Sequence, residues 1–240
     1  QLPDGQLQQR TKGTPQGGIV SPVLSNLFLH YVFDKWLAKY YSHVPWCRYA
    51  DDGLVHCRSK KQAEEMYAAL KHRFESCGLE LHPTKTKIVY CKDAGRLGNH
   101  EITSFDFLGY TFRARTVQGK GRDNVFMSFT PAVSKDALKA MRYKIRKLRI
   151  RCRTDMSIHE ISKWLSPMVQ GWINYYGKFH RSSMKIIGRH LNMTLVRWAR
   201  RKYKSIRRHK IKACQFMERM AAQAPYLFPH WRAKLGTAFA

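Results

Sequence analysis

The sequence predicts an α+β fold in which an antiparallel sheet with helices is followed by an all-helical bundle. Short strand-like runs alternate with helical periods in the first half, whereas the pattern after Pro131 is almost wholly helical. Charge divides the chain in a similar place: residues 1–111 contain 14 Lys and Arg against 11 Asp and Glu, and residues 112–240 contain 30 against 5. We therefore predict two domains, 1–130 and 131–240, each with enough apolar residues for a core.

The net charge predicts the class of partner. The 240 residues have a formal charge of +28 and a pI near 10.2, which favours nucleic acid. The six cysteines are at least ten positions apart, so they form neither a zinc motif nor a dense disulfide scaffold. No apolar run approaches the ~18 residues of a membrane span, and the chain starts with neither a signal peptide nor Met. We expect a cytoplasmic (bacterial) or organellar protein, present here as a fragment or a processed product.

The first half predicts a helix, a hairpin and a second helix, in that order. Ser21-Pro22 begins the first helix, and a capping box over residues 59–62 begins the second, which ends at Gly78. Two short strands between them, 47–50 and 53–56, join at Asp51-Asp52. Further strands are predicted at 79–81, 88–90, 105–113 and 125–129. The predicted buried stripe of the first helix is Val23, Leu24, Leu27, Phe28, Tyr31, Trp36, Leu37 and Tyr40.

The second half predicts three long amphipathic helices, at about residues 134–153, 158–176 and 183–206. A capping box over residues 157–160 begins the second of them. A short helix is expected over 213–222, and the aromatic-rich end at 225–231 is expected to pack back on the bundle. The inward side chains predicted for the first helix are Leu138, Met141, Ile145 and Leu148.

Two adjacent carboxylates at the hairpin tip are the first candidates for chemistry. The turn holds Asp51 and Asp52 close together, an arrangement that a bound divalent cation would stabilise. Asp is also common in ordinary exposed turns, so the pair alone favours that plain interpretation. The Gly-rich segment over residues 14–18 favours the functional interpretation over the plain one. Its glycines let backbone N–H groups approach a nucleotide, and Pro15 makes the backbone of this segment more rigid.

Five motifs occur in order: GTPQGGIVSP at 13–22, YADD at 49–52, GLELHPTKTK at 78–87, FLGY at 107–110 and GWINYYG at 171–177. The first four resemble the later palm motifs of the reverse transcriptases encoded by group II introns. The fifth is similar to the maturase (X, or thumb) domain of the same family. A chance occurrence of all five has a prior of roughly one in twenty or less.

The resemblance implies a partial polymerase palm, an antiparallel sheet with helices, followed by an all-helical thumb/X bundle. The implied function is RNA-directed DNA synthesis together with intron RNA binding and splicing. Asp51 and Asp52 would be ligands of two catalytic Mg²⁺ ions, at which the primer 3′-hydroxyl attacks the α-phosphate of a dNTP. Lys85 would neutralise or protonate the pyrophosphate; a lysine in solvent or on the RNA backbone is the plain alternative, and Lys87 competes for either role.

Contacts with template, primer and RNA are also implied by the resemblance. The nucleotide- and template-binding candidates are Pro15, Gln16, Gly17, Gly18 and Tyr49. The primer-binding candidates are Gly109 and Tyr110. A charge run is often only solvated, but the excess of basic residues in this half favours phosphate binding. The RNA-binding candidates are Asn174, Tyr175, Arg197, Arg200, Arg201, Lys204, Arg207 and Arg208.

The sequence departs from the family pattern before Gly13. Polymerases of this class need a further Asp on an upstream strand, and the twelve residues before Gly13 contain Asp4 as their sole acid. We expect the fingers and the first palm strand to be absent, so that the isolated chain is inactive. Either the chain is truncated or a second polypeptide supplies that part. Two alternatives stay open: an RNA-binding maturase with vestigial polymerisation, and a non-catalytic subunit that complements a separate fingers–palm chain.

Overall fold

The computed structural model describes residues 18–96, 98–119, 124–236 and 239. The chain divides into two compact units, Gln1–Ile88 and Val89–Ala240. Two antiparallel sheets accompanied by helices precede a helical region, which confirms the predicted α+β class. The domain boundary predicted near residue 130, where the sequence pattern becomes helical, stays a proposal. Among the described residues, no helix is long and apolar enough to cross a membrane.

A helix interrupted by a π turn forms the start of the first unit. Helix α1 (Ser21–Leu29) continues through a π-helical turn (His30–Asp34) into α2 (Lys35–Tyr40). The π turn has more residues than an α turn, so it rotates the faces of the helix that follows it. The buried residues are Val32, Phe33 and Leu37, of which the sequence predicted only Leu37. The predicted stripe is wrong for its exposed members, which are Val23, Leu24, Leu27, Phe28, Tyr31 and Tyr40.

Helix α3 (Lys60–Ser76) packs on this interrupted helix and follows the prediction at both ends. The Ser59 hydroxyl accepts a hydrogen bond from the Gln62 backbone N–H at 3.1 Å, and the chain leaves the helix through Gly78, whose φ is +72°. Arg73 of α3 donates to two carbonyls of the π turn, that of Val32 at 3.2 Å and that of Tyr31 at 3.4 Å, and so joins the two helices.

The predicted hairpin is present between these helices, but its strands begin and end one residue earlier than predicted, so the turn is Ala50-Asp51. Strands β1 (Trp46–Tyr49) and β2 (Asp52–Val55) are antiparallel, with Tyr49 opposite Asp52. The strands predicted at 79–81 and 88–90 are wrong, because those residues form no ladder. The Tyr90 backbone N–H donates to the Ile102 carbonyl at 2.9 Å, but no continuous pairing develops around that bond among the described residues.

A three-stranded antiparallel sheet opens the second unit, in the order β3 (Ser104–Phe107), β4 (Tyr110–Gln118) and β5 (Val125–Val133). The single strand predicted over 105–113 is wrong, because Leu108 and Gly109 turn the chain with φ values of +50° and +77°. Strand β5 runs through Pro131, which an edge strand tolerates because its missing N–H can face away from the ladder.

The helices of the second unit match their predicted places, although α4 ends earlier because Arg149 has a φ of +51°. The Ser157–Glu160 capping box is complete, with both reciprocal hydrogen bonds formed. Leu138, Met141 and Ile145 are buried as predicted. The helices are α4 (Lys135–Lys147), α5 (Ile158–Tyr176), α6 (Lys185–Lys202), α7 (Lys210–Gln223) and α8 (Pro229–Arg232).

The C-terminal segment packs back on the bundle, as the sequence predicts. Phe228 and Trp231 are buried in its core. Gly188 on α6 allows the segment to pass closely, since a Cβ there would lie 2.0 Å from the Leu235 carbonyl oxygen. Asn192, one turn further along α6, accepts hydrogen bonds at 2.9 Å from Trp231 Nε1 and from His230 Nε2. Complete burial lowers the pKa of His230 to about 3, so this imidazole is neutral.

Candidate functional site

The β1–β2 hairpin presents two free carboxylates at its tip. Asp51 occupies the turn, and Asp52 is the first residue of β2. Both side chains are exposed, and neither makes a side-chain hydrogen bond or an ion pair with the described part of the chain. Tyr49, which precedes the turn, is 64% exposed. The structure thus brings three of the predicted site residues together on one solvent-facing turn.

Arg48 fixes the shape of this turn. Its guanidinium forms a bidentate pair with Asp34 of the π turn, with Nε to Oδ1 and Nη2 to Oδ2 both at 2.7 Å. Its Nη1 also donates to the Ala50 carbonyl at 2.7 Å, immediately before Asp51, and Ala50 has a φ of +52°. The hydrogen bonds from Arg48 hold the pKa of Asp34 below its usual range, so this pair stays ionised at neutral pH.

Close packing supports the other side of the hairpin. A Cβ added to Gly53 would lie 3.2 Å from the Phe33 ring, so the small residue lets β2 approach the π turn. Phe33 also makes edge contacts with Trp46 and Phe74. The two aspartates therefore sit on a short hairpin anchored by one ion pair and one aromatic cluster. Sequence reasoning missed Asp34 and Arg48 as supporting residues; an acid inside the apolar 32–37 segment was the available signal.

The donor chemistry of Asp51 and Asp52 fits Mg²⁺, a hard ion that prefers carboxylate oxygens. Both carboxylates are exposed and form no ion pair with the described residues, so within that part of the chain a cation can reach them without breaking an ion pair. The set is incomplete within the described residues, where no three His, Cys, Asp or Glu side chains cluster as a metal site would require. The hairpin is accordingly suited to supply two ligands of such a site, and any further ligand would come from another segment.

The remaining candidate residues of the first unit make no hydrogen bond or ion pair with Asp51 or Asp52 among the described residues. Pro15, Gln16 and Gly17 lie outside the described residues, and Gly18 is the first residue after them. The Gly18 carbonyl accepts the Ser21 N–H at 3.3 Å at the start of α1. Lys85 is exposed, and its backbone N–H donates to His82 Nδ1 at 3.4 Å. No ion pair or hydrogen bond among the described residues joins Lys85 to either aspartate.

The two later motifs meet each other in the second unit. The Tyr110 hydroxyl donates to the Tyr175 carbonyl, and the Tyr175 hydroxyl donates to the Leu108 carbonyl at 2.9 Å. Tyr110 is 7% exposed, and burial, followed by its neighbours Tyr175 and Tyr176, raises its pKa. Gly109 leaves room for Tyr176, since a Cβ there would lie 2.7 Å from the Tyr176 hydroxyl. The β3–β4 turn and the end of α5 thus form one hydrogen-bonded junction.

Contact with nucleic acid at this junction stays a prediction, and the structure limits which atoms are available for it. The buried Tyr110 hydroxyl is already used within the protein, whereas Tyr175 is 47% exposed. Asn174 is exposed, and its Oδ1 accepts a hydrogen bond from Gln170 Nε2 at 2.6 Å, so its amide nitrogen remains free to donate outward. A ligand here would meet an amide, a phenol and the exposed turn at Leu108.

The predicted basic residues of α6 and the following turn, residues 197–208, form a segment that we call the basic segment. Arg200 Nε donates to the Arg207 carbonyl at 3.1 Å, and Arg201 Nη1 lies 3.1 Å from Cys152 Sγ, so both are partly used within the protein. The other predicted members are exposed and make no side-chain hydrogen bond with the described residues; they are Arg197, Lys204, Arg207 and Arg208. From residue 98 onward, no ion pair forms within the described chain, so this positive charge is uncompensated.

Two protein-family models match the chain. One describes reverse transcriptase (RNA-dependent DNA polymerase) and matches residues 3–112, and the other describes the group II intron maturase-specific domain and matches residues 138–216. The chain belongs to the group II intron reverse transcriptases/maturases. The reverse transcriptase match contains the hairpin with Asp51 and Asp52, and the maturase match contains the basic segment. A comparison with curated proteins found no match.

Proposed function

We propose that this group II intron reverse transcriptase/maturase contributes the Asp51 and Asp52 part of an RNA-directed DNA polymerase site. The observation that supports it is the pair of unpaired carboxylates on a turn held by the Arg48–Asp34 ion pair. The two carboxylates are adjacent in the chain and exposed on a turn whose shape is fixed, although the chain contains 44 Lys and Arg. Such an arrangement is suited to binding divalent cations.

Each residue of the hairpin has a distinct task in this proposal. Asp51 and Asp52 would hold two Mg²⁺ ions, which supply polarisation of the primer hydroxyl and charge stabilisation at the leaving pyrophosphate. Arg48 positions the turn through the Ala50 carbonyl, and its ion pair with Asp34 keeps its own charge away from the carboxylates. Tyr49 offers an exposed ring beside the primer terminus. Because the turn is already held in place, the carboxylates would not have to be reoriented during the reaction, which lowers the free-energy cost of reaching the transition state.

The residues around this hairpin take the remaining roles. Pro15, Gln16, Gly17 and Gly18 would line the templating base and the incoming dNTP. Lys85 would meet the pyrophosphate, and its exposed position leaves it free to do so. The third carboxylate of the site would come from outside these 240 residues, from further sequence or from a second polypeptide, because Asp4 is the sole acid before Gly13. The 240 residues alone are accordingly expected to show no processive DNA synthesis.

The unpaired basic segment supports a second activity, recognition of structured intron RNA during splicing. Exposed Arg and Lys side chains without protein counter-charges bind phosphates and release counterions from the RNA. The match to the maturase-specific domain covers this segment. We assign both activities to one chain, because template–primer and intron RNA are both polyanions and can both bind to exposed basic side chains.

An experiment on the complemented enzyme tests the polymerase proposal. The chain is combined with a polypeptide that carries the upstream palm, and extension of a DNA primer on RNA is measured for the wild type and for Asp51→Asn. Asn keeps the size of the side chain and removes its charge, so we expect nucleotide addition to fall at least 10³-fold while template–primer affinity changes less than twofold. Equal losses of binding and of catalysis would instead give Asp51 a structural role.

Glu65→Gln is the matched control for this experiment. Glu65 is exposed on α3 and also loses one negative charge in the substitution. We expect this variant to retain wild-type extension. If extension stays absent from the complemented wild type while intron splicing is stimulated, the chain acts as a maturase only.

A further inference from the structure

The face of β4 that carries Arg113 and Arg115 contains an uncompensated basic cluster that the proposed functions do not use. Side chains two residues apart point to the same side of a strand, and register places Thr130 of β5 opposite Arg113. The 3-10 turn that begins directly after His180 contacts β5, the strand beside Arg113 and Arg115. His180 Nε2 lies 3.0 Å from the Ser182 hydroxyl, and burial, followed by the charges of Arg115 and Arg113, lowers the pKa of this imidazole.

No carboxylate within the described residues balances this cluster. Neither arginine makes an ion pair, and the acidic residue on the same face, Asp106, accepts a hydrogen bond from the Thr111 hydroxyl instead. Burial and then the charge of Arg113 lower the pKa of Arg115. Positive groups that face each other without an anion raise the free energy of the folded chain, and a bound anion would offset that cost.

Two polar atoms of the cluster lack partners. Arg115 Nε and Thr130 Oγ1 are buried and make no hydrogen bond within the described chain. Arg115 is anchored at its other end, since its Nη2 donates to the Thr111 carbonyl at 3.0 Å. Buried donors are nearly always satisfied in native proteins, so each unsatisfied donor calls for a ligand or a bound water. Arg113 is exposed, which leaves the cluster open to a ligand from solvent.

We propose that Arg113, Arg115 and His180 form a site for one backbone phosphate of a bound nucleic-acid strand. The planar guanidinium matches the geometry of phosphate oxygens, and two guanidinium groups on one strand face suit a single phosphodiester. The site lies on β4, which begins at the predicted primer contact Tyr110 directly after Gly109, so we assign the phosphate to template–primer. This inference rests on the proposed binding of template–primer by the chain.

Binding of a fluorescein-labelled RNA–DNA duplex across a salt series tests the site. The slope of log affinity against log salt is expected to fall in Arg113→Gln, and to fall by about 0.9 in total in the double variant Arg113→Gln/Arg115→Gln, because the site neutralises a single phosphate. Lys71→Gln, which removes an exposed positive charge from α3, should leave the slope unchanged. Arg113 is exposed, so its single variant remains informative if the double variant fails to fold.

Methylphosphonate substitution identifies the phosphate itself. Each primer phosphate is neutralised in turn, and one position is expected to weaken wild-type binding about tenfold and to have no effect on the double variant. The proposal would be overturned if each methylphosphonate weakened binding equally in the wild type and in the double variant. It would also be overturned if the two arginines were needed for binding inorganic phosphate but their substitution left the salt slope of duplex binding unchanged. Absence of any duplex binding by the wild type would contradict the proposed function itself, and the site would fall with it.

Discussion

Single glycines show how closely the chain is packed, and two of them have opposite roles in neighbouring helices. Gly188 on α6 is crossed by the C-terminal segment, where a Cβ would lie 2.0 Å from a backbone oxygen. Gly171 lies inside α5, where a Cβ would meet nothing within 4 Å. Both are helical glycines, so intrinsic propensity alone would favour Ala at each by up to about 1 kcal/mol. The difference between them is entirely one of packing.

The matched substitutions Gly188→Ala and Gly171→Ala test this packing. We expect Gly188→Ala to lower the free energy of unfolding by about 2–3 kcal/mol, because Leu235 would have to move and the Asn192–Trp231 contact with it. Gly171→Ala should raise the free energy of unfolding by about 0.5–1 kcal/mol. Urea denaturation followed by circular dichroism measures both. A neutral Gly188→Ala would mean that the C-terminal segment does not lie against α6.

The chemistry at residue scale was visible in the sequence only in part. The placement of Asp51 and Asp52 at the tip of a hairpin was predictable, because strand-like residues flank them and Asp is favoured in turns, but the turn itself is Ala50-Asp51 and Asp52 begins β2. The ion pair between Arg48 and Asp34 was not, since it joins residues 14 positions apart through a π turn. Long-range pairs of this kind depend on tertiary packing, which local periodicity does not encode.

At the scale of elements, local signals predicted helix ends well and buried faces less well. The capping box at Ser157 fixed the start of α5, because its hydrogen bonds form within four residues. The prediction of the buried face of α1 was wrong, since burial depends on what packs against a helix and not only on the helix's own sequence pattern. The strand predicted over 105–113 failed for a related reason: its alternation continues through Leu108 and Gly109, where positive φ angles reverse the chain.

The basic segment allows a prediction about one element and the turn after it. We expect the triple variant Arg197→Gln/Arg207→Gln/Arg208→Gln to lower the salt slope of RNA binding by about 2–3, because we propose that these exposed side chains contact phosphates. Lys202→Gln serves as the control: its ammonium donates to the Met156 carbonyl at 2.7 Å and the Thr154 carbonyl at 3.0 Å, so its loss should change stability more than the slope. Fluorescence anisotropy across a salt series measures both effects.

If the salt slope of RNA binding does not change in the triple variant, these side chains are solvated surface residues that do not contact phosphates. Loss of affinity confined to structured intron RNA, with plain duplex binding intact, would make them contacts that recognise RNA shape. The two results separate the maturase function from general polyanion binding, since only the former depends on the fold of the RNA.

For the whole molecule, the distribution of charge and the order of the motifs were the two guides that the sequence offered. The excess of Lys and Arg after residue 111 predicted a polyanion-binding half, and the structure shows no ion pair that neutralises it within the described residues from 98 onward. The order of the five motifs predicted the family, which the matches to reverse transcriptase and to the maturase-specific domain confirm. The contact between the fourth and fifth motifs through Tyr110 and Tyr175 was not predicted, because 65 residues separate them.

The central claim is that Asp51 is a ligand of a catalytic cation, and a metal-specificity switch tests it most directly. In the chain complemented by the upstream palm, Asp51→Cys replaces a hard carboxylate with a thiolate, which binds Mg²⁺ poorly and softer cations such as Mn²⁺ better. We predict that single-nucleotide incorporation by Asp51→Cys is lost in Mg²⁺ and partly restored in Mn²⁺, whereas Glu65→Gln behaves as the wild type in both. Full activity of Asp51→Cys in Mg²⁺ would contradict the claim.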